Sequence, residues 1–390
     1  MASTSRNEKK ISGANNNNYL PEGIVFSILS KLPLKSLNRF SCVSESWAHL
    51  FEIPDFITMF HNNLVSKSHS LYNNDDDDVH FVLHQYVDSF RWDFYILYGE
   101  KFENKHKLDL PSSFHIRVIR ILGSAMNGMF CIHDCDNHTK AALWNPATSD
   151  VKVIPPGSAE YQGHFTTEIV LHGFGYDHVS DDYNVIQHVS YITFTENSDV
   201  IRGLFWEIYS LKSNSWKKCN FDMPVRDWIT GSDVYLNGVC HWWGKVNDES
   251  YLVSFNLCNE EWLTTGSPIE NVHDGDVDLI VLYGHVAMIS NRKKTCFQIS
   301  ILGEFGVKES WTRLFNIEPL SCIDQPIGTS MKGNIFFRKK DGELAYIDLT
   351  TGFIQEIGIK AGKSWCQMVM YKKKMAMYKK NVRKFGEISM

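Results

Sequence analysis

The chain changes texture twice. From Leu20 its apolar side chains recur at helical spacing. From Val79 onward they recur at the two-residue spacing of strands, in short runs cut by Gly, Asn, Asp and Ser. Leu20, Ile24, Ile28 and Leu32 stand four residues apart and form one apolar stripe. Pro21 suits the first helical position, where a missing N–H costs nothing, and Pro33 stops the helix. Leu34, Leu37, Phe40 and Val43 make a second stripe. Ser44 is a candidate cap for a third helix carrying Trp47, Leu50 and Phe51, which Pro54 closes. Three short helices are thus predicted within residues 19–64, after a polar leader (1–18, ending Asn15–Asn18) that reads as disordered. A unit of about 40 residues buries too little apolar surface to stand alone without disulfides, metal or a partner. It has no metal ligands at useful spacing, so a second polypeptide is expected to complete it.

A polar linker, 65–78, separates this unit from the strands. Its run Asp75–Asp78 lacks the alternating ligands and glycine turn of a calcium loop and reads as solvated. Beyond it lies an internal repeat. One half is a small turn and an apolar strand, as in Asn127-Gly128-Met129, Asn237-Gly238-Val239, Tyr283-Gly284-His285 and Lys332-Gly333-Asn334. The other half is a strand, a polar turn and an aromatic or β-branched residue seven positions on: Trp144…Val151, Tyr209…Trp216, Phe255…Trp262 and Ile347…Ile354, with Gln298 to Trp311 as a looser copy. Tyr98 to Trp144 is 46 residues, Tyr209 to Phe255 is 46, and Phe255 to Ile347 is two such periods. Trp144 to Tyr209 is 65, so an insertion is expected there, over GFGYDHVSDDYNV and the strand-like Ile186–Phe194. A period near 45 with about four strands is the signature of propeller blades, and residues 79–359 allow roughly six. The predicted fold is mainly β with a small N-terminal α unit.

Composition narrows the function classes. The 390 residues carry a net charge of −6, which disfavours a nucleic-acid coat protein. Residues 360–390 hold +8 of that balance and leave −14 for the rest. This basic tail reads as a solvated terminus or an import patch. No apolar stretch is long enough to cross a bilayer as a helix, and MASTSRNEKK leads into no signal core. Nine scattered cysteines suit free thiols in a reducing cytoplasmic or nuclear setting, in which the sequon Asn137-His138-Thr139 stays idle.

The helical segment resembles an F-box. The match lies in Leu20-Pro21, Ile24, Ile28-Leu29, Leu32-Pro33, the run Lys35-Ser36-Leu37-Asn38-Arg39-Phe40 and Cys42-Val43-Ser44-Glu45-Ser46-Trp47. Glu45 stands where the family more often has a base. The remainder resembles the plant F-box-associated, kelch-like domain, through Trp144-Asn145-Pro146-Ala147-Thr148 and Gly173-Phe174-Gly175-Tyr176-Asp177 to Asp181-Asp182-Tyr183. The Tyr209–Trp216 and Phe255–Trp262 strands extend that match. Asn184 replaces a commoner Lys. Within that group the chain also looks like S-locus F-box proteins, which would imply a ribonuclease target.

The resemblance implies a non-catalytic, target-recognising subunit of a Skp–cullin–F-box ubiquitin ligase. Its F-box would dock on a Skp-type adaptor, and through it cullin, while its β-domain holds a target protein for ubiquitination and proteasomal degradation. The adaptor-binding positions carried over are Leu20, Pro21, Ile24, Ile28, Leu32, Pro33, Leu37, Val43 and Trp47. The same residues also suit a core within the helical unit, Ile28 and Trp47 above all. No cofactor, nucleic acid or membrane is implied. Two other readings stand beside this one: a scaffold that binds the adaptor without ubiquitin transfer, and a propeller enzyme capped by the helices.

Other constellations read as structure. Cys131, His133, Cys135 and His138 lack the second ligand pair of a structural zinc site. Gly173-Phe174-Gly175 lacks the third glycine of a dinucleotide fingerprint, with His178 in its place, and reads as a β-turn of close backbone approach. His241-Trp242-Trp243 reads as blade core rather than a ligand platform. No G-x-S-x-G nucleophile motif occurs.

Overall fold

The computed structural model describes residues 21–32, 34–41, isolated positions from 47 to 63, and residues 79–372 except for short stretches of connection. Leu20, Pro33, Val43, the Asn-rich leader, the acidic linker and residues 373–390 lie outside the described residues.

The described residues begin with two helices, α1 (Glu22–Leu29) and α2 (Leu34–Ser41). Pro21 stands one position earlier than the sequence predicts. It is the N-cap of α1, with extended backbone, and its carbonyl accepts the Ile24 and Val25 N–H groups at 2.9 and 3.1 Å. Trp47 is helical, and helical residues recur past Pro54 at Asp55, Phe56, Met59, Phe60 and Asn63, so Pro54 does not close the unit. The reason is apolar spacing. Phe56 and Phe60 are one turn apart, fully buried, and stacked with ring centroids 6.2 Å apart.

Among the described residues, twenty-five strands follow in six antiparallel sheets. The first holds β1 (Val79–Asp88), β2 (Arg91–Tyr98) and β3 (Asn104–Leu108). The second runs β4 (Ile119–Met126), β5 (Met129–Asp134), β6 (Ala141–Asn145), β7 (Asp150–Ile154). The third runs β8 (Thr166–Asp177), β9 (Asp182–Phe194), β10 (Asp199–Ser210), β11 (Ser215–Lys218). The fourth adds the short β12 (Asp227–Trp228) to β13 (Val234–Leu236), β14 (Val239–Val246), β15 (Glu249–Asn256) and β16 (Glu261–Gly266). The fifth runs β17 (Val277–Leu282), β18 (His285–Ser290), β19 (Phe297–Leu302), β20 (Trp311–Ile317). The sixth runs β21 (Ile323–Thr329), β22 (Asn334–Lys339), β23 (Glu343–Asp348), β24 (Ile354–Lys360). A final strand, β25 (Cys366–Lys372), returns to pair with β1 as the innermost strand of the first sheet. The ring is a six-bladed propeller closed by its two chain ends.

That closure corrects the predicted boundary at 359. The propeller runs to Lys372 because Cys366-Gln-Met-Val-Met-Tyr, set among lysines, is a strand with Cys366, Met368, Val369 and Tyr371 buried. The insertion in the third blade is strand lengthening, with β8, β9 and β10 each 12 or 13 residues long, together with the connection after β7. Gly173-Phe174-Gly175 lies inside β8, so no turn forms there. The close approach is real. A Cβ on Gly173 would stand 2.6 Å from Cys240 Cβ, and one on Gly175 2.3 Å from the Tyr235 ring.

The repeat's two halves are visible as register. Trp144 pairs with Val151, Tyr209 with Trp216, Phe255 with Trp262 and Ile347 with Ile354 across the third and fourth strands of their blades. In the fifth blade the equivalent pair is Leu302 with Trp311, not Gln298, because the turn there carries a one-turn 3-10 helix, Lys308–Ser310. The Asn-Gly pairs make two-residue hairpins, with φ of 50° and 79° at Asn127-Gly128 and 49° and 87° at Asn237-Gly238.

The middle strands of each sheet are buried on both faces, since each sheet is flanked by two others, while outer strands such as β3, β11 and β24 are largely exposed. Six apolar clusters fill the six gaps between neighbouring blades. Alternation along β14 sends Trp242 into the gap with the third blade and Trp243 into the gap with the fifth.

Candidate functional site

The helical unit is attached to the propeller. Leu29, Leu37, Phe56 and Phe60 belong to the same buried cluster as Ile280, Phe297 and Phe337 of the fifth and sixth blades, with Val25, Phe26, Leu32, Phe40 and Trp47 packed against it. Strand direction places it on one face of the ring. Antiparallel strands alternate, so the turns between first and second strands and between third and fourth all emerge at one end. Helix α2 approaches the Lys308–Ser310 turn at that end, and Arg39 faces Glu304 at 4.0 Å. This ion pair is exposed and contributes little; the apolar cluster holds the unit.

This attachment changes the expectation that a second polypeptide completes the whole unit. The propeller covers one face of α1 and leaves another bare. Val25, Phe26 and Leu29 turn inward, whereas Ile24 and Ile28, one turn apart, are 48% and 51% exposed. Of the predicted adaptor positions, Pro21, Ile24 and Ile28 lie at the surface and Leu32 and Trp47 are half-buried. Leu37 is 1% exposed and so supports the surface from beneath instead of forming it. Leu20, Pro33 and Val43 fall outside the described residues. Phe56 and Phe60, which anchor the unit, were not singled out from sequence, although their four-residue spacing carries the signal. At the far end of α1, Asn63 donates to the Ser30 hydroxyl at 2.8 Å and ties the last helical residues to it.

The second candidate surface is the axial channel, about 1110 Å³, walled by the inner strands β4, β8, β13, β17, β21 and β25. Its polar side chains include Arg120, His133, Asp233, Asp278, Asp324 and Gln367. Arg120 lies over the Trp365 ring at 5.4 Å. Burial pushes the Asp233 carboxyl up to about 8, against the opposing pull of Arg120. Asp324 is paired with Arg338, whose guanidinium also donates to the Gly362 carbonyl at 3.2 Å. Behind the wall, His172 and His188 share a 2.6 Å contact among Trp206 and Trp242. Burial, then the neighbouring His188, holds His172 well below the usual imidazole range, so it is a neutral core group. The channel is an opening of mixed lining, with these polar groups set among apolar ones.

The tempting cysteine–histidine set separates. Cys131 is buried in the gap between the second and third blades, where desolvation raises its thiol; His133 and Cys135 line the channel; His138 lies outside the described residues. Among the described residues, the one Asp/His/Cys grouping tight enough for a metal is Asp177, His178 and Cys258, at the propeller rim. Cys258 is 80 residues from His178 in the chain, a separation that no spacing motif bridges.

The chain matches the F-box domain over residues 18–58 and the F-box associated beta propeller domain over residues 81–372. It is similar to the F-box protein CPR1 of Arabidopsis thaliana, 26% identical over 384 residues, which span 87% of this chain and 84% of that protein. It is also similar to the F-box/kelch-repeat protein At3g23880 of the same plant, 23% identical over 329 residues, which span 80% and 83%.

Proposed function

Because the chain belongs to the F-box proteins that carry an F-box associated β-propeller, we propose that it is the target-recognising subunit of a Skp–cullin–F-box ubiquitin ligase, docked on its Skp-type adaptor through Ile24 and Ile28. Family membership supports the receptor role. The observation that carries the docking assignment is the division of α1 into a face seated on the propeller and a bare apolar face. Two adjacent, half-exposed isoleucines offer a ridge that an apolar groove of a partner would cover. The propeller presents loops from a rigid scaffold, as a protein-binding surface requires. In this reading the subunit does no bond chemistry. It holds a target lysine near a ubiquitin-charged conjugating enzyme and so raises its effective concentration. It acts in the cytoplasm, the nucleus or both.

The test is adaptor capture by the full chain. Covering the exposed halves of two isoleucines is worth about 2–3 kcal/mol, so Ile24→Asp with Ile28→Asp should weaken binding by roughly 30- to 150-fold. Both side chains are at the surface, so the variant keeps its fold. Adaptor affinity unchanged in that double variant would overturn the assignment. Reconstituted transfer of ubiquitin to a captured partner separates this function from a scaffold that only binds.

A further inference from the structure

The third and fourth blades meet at the face that carries the helices through three hairpin turns. Asp177 ends β8, His178 opens the turn to β9, and Cys258 lies in the turn from β15 to β16. Their ligand atoms all lie within 4.8 Å of one another, and Cys258 Sγ is 3.6 Å from His178 Nδ1. The three form a gradient from wall to solvent, with Asp177 buried, Cys258 half-buried and His178 exposed.

The donors are held in place. Asp177 Oδ1 accepts the Val179 N–H at 2.8 Å, and its Oδ2 accepts the Ser180 hydroxyl at 2.5 Å. These contacts orient the carboxylate and leave lone pairs on both oxygens. The Cys258 N–H donates to Asn256 Oδ1 at 2.9 Å and fixes the sulfur's own turn. The third turn packs alongside at ordinary contact distance. Gly238 sits at φ +87°, and a Cβ there would lie 3.7 Å from both Cys258 Sγ and His178 Nδ1.

Thiolate, imidazole and carboxylate together suit a borderline-soft divalent ion. On a tetrahedral zinc, with Zn–S about 2.3 Å and Zn–N about 2.0–2.1 Å, sulfur and nitrogen ligands stand about 3.6 Å apart, which is the separation seen. An S–H···N hydrogen bond would hold that distance too. The same thiol also contacts the Asp177 carboxylate, which its own turn already orients, so a third donor stands within reach of both atoms.

We propose that Asp177, His178 and Cys258 bind one Zn²⁺, which ties the third blade to the fourth and keeps its fourth coordination position open to solvent. Binding replaces the thiol proton: Cys258 S–H gives a Zn–S bond and one proton to water.

The experiment is titration of the full chain, reduced and metal-free, with Co²⁺. The expected result is a near-ultraviolet thiolate-to-cobalt absorption that saturates at one equivalent and is bleached by Zn²⁺. Cys258→Ser should abolish that band, and His178→Gln, at an exposed position, should weaken binding at least tenfold. Zn²⁺ should raise the unfolding temperature of the native chain and leave that of Cys258→Ser unmoved. No band in the reduced native protein, or a band that survives in Cys258→Ser, overturns the site.

Discussion

Buried imidazoles make single residues of this propeller sensitive to acid. His241 is fully buried, with Nδ1 2.9 Å from the Ser254 hydroxyl and its ring stacked on Phe305 at 5.0 Å. Desolvation lowers its pKa to about 3. A depressed histidine contributes stability that is present above its unfolded pKa, near 6.5, and is lost as pH falls toward the folded value. Between pH 7 and pH 5 one such group costs about 2 kcal/mol, because only the unfolded chain takes up the proton. His84, His172 and His285 are shifted the same way by burial. Urea melts should therefore show stability falling steeply across that window, and His241→Gln should have a shallower slope whatever its stability at pH 7. An unchanged slope would remove His241 from this account. At this scale the sequence was partly readable. The apolar stripe of α1 was evident, but which of its members faced the solvent depended on a propeller more than 200 residues away. Cys258 beside His178 was invisible for the same reason.

Elements were more legible than residues. Hairpins are local, so the seven-residue offset from Trp144 to Val151 or from Phe255 to Trp262 reports cross-strand pairing directly, and Asn-Gly marks its turn chemistry. Two readings failed where a neighbour outweighed local preference. Glycines at 173 and 175 suggest a turn, yet they lie in a continuous strand, bulged at Leu171–Gly173 and pressed against Cys240 and Tyr235. Lysines around Cys366–Tyr371 suggest a solvated tail, yet those residues close the ring, pairing with β1 from Val79 to Gln85. Gly328 shows how tight that closure is. A Cβ there would stand 2.0 Å from the Met368 carbonyl oxygen. A chain ended at Trp365 should consequently lose cooperative melting by circular dichroism, while one ended at Lys372 keeps it. A sharp transition in the shorter chain would show that β25 is dispensable.

For the molecule as a whole, the proposed receptor role would require a fixed geometry between an adaptor-docking end and a target-holding end. Phe56 and Phe60 hold that geometry, with Phe26 edge-on to Phe56 at 5.6 Å. Truncating a buried phenylalanine costs about 3–5 kcal/mol. Phe56→Ala with Phe60→Ala should uncouple the helices from the blades. In a reconstituted ligase, target binding should persist while ubiquitin transfer falls, and limited proteolysis should cut first between residues 64 and 79. Undiminished transfer would mean that the orientation is set elsewhere. The closing strand has a further consequence, for synthesis. Translation proceeds at about 5–20 residues per second, so β1 leaves the ribosome well before its partner at Cys366 has been made. During that interval the nascent chain carries an unpaired, apolar edge, the kind of surface that recruits chaperones or aggregates. Cellular yield of this protein should therefore be governed by elongation speed and holdase supply over the distal codons, more than by the stability of the finished ring.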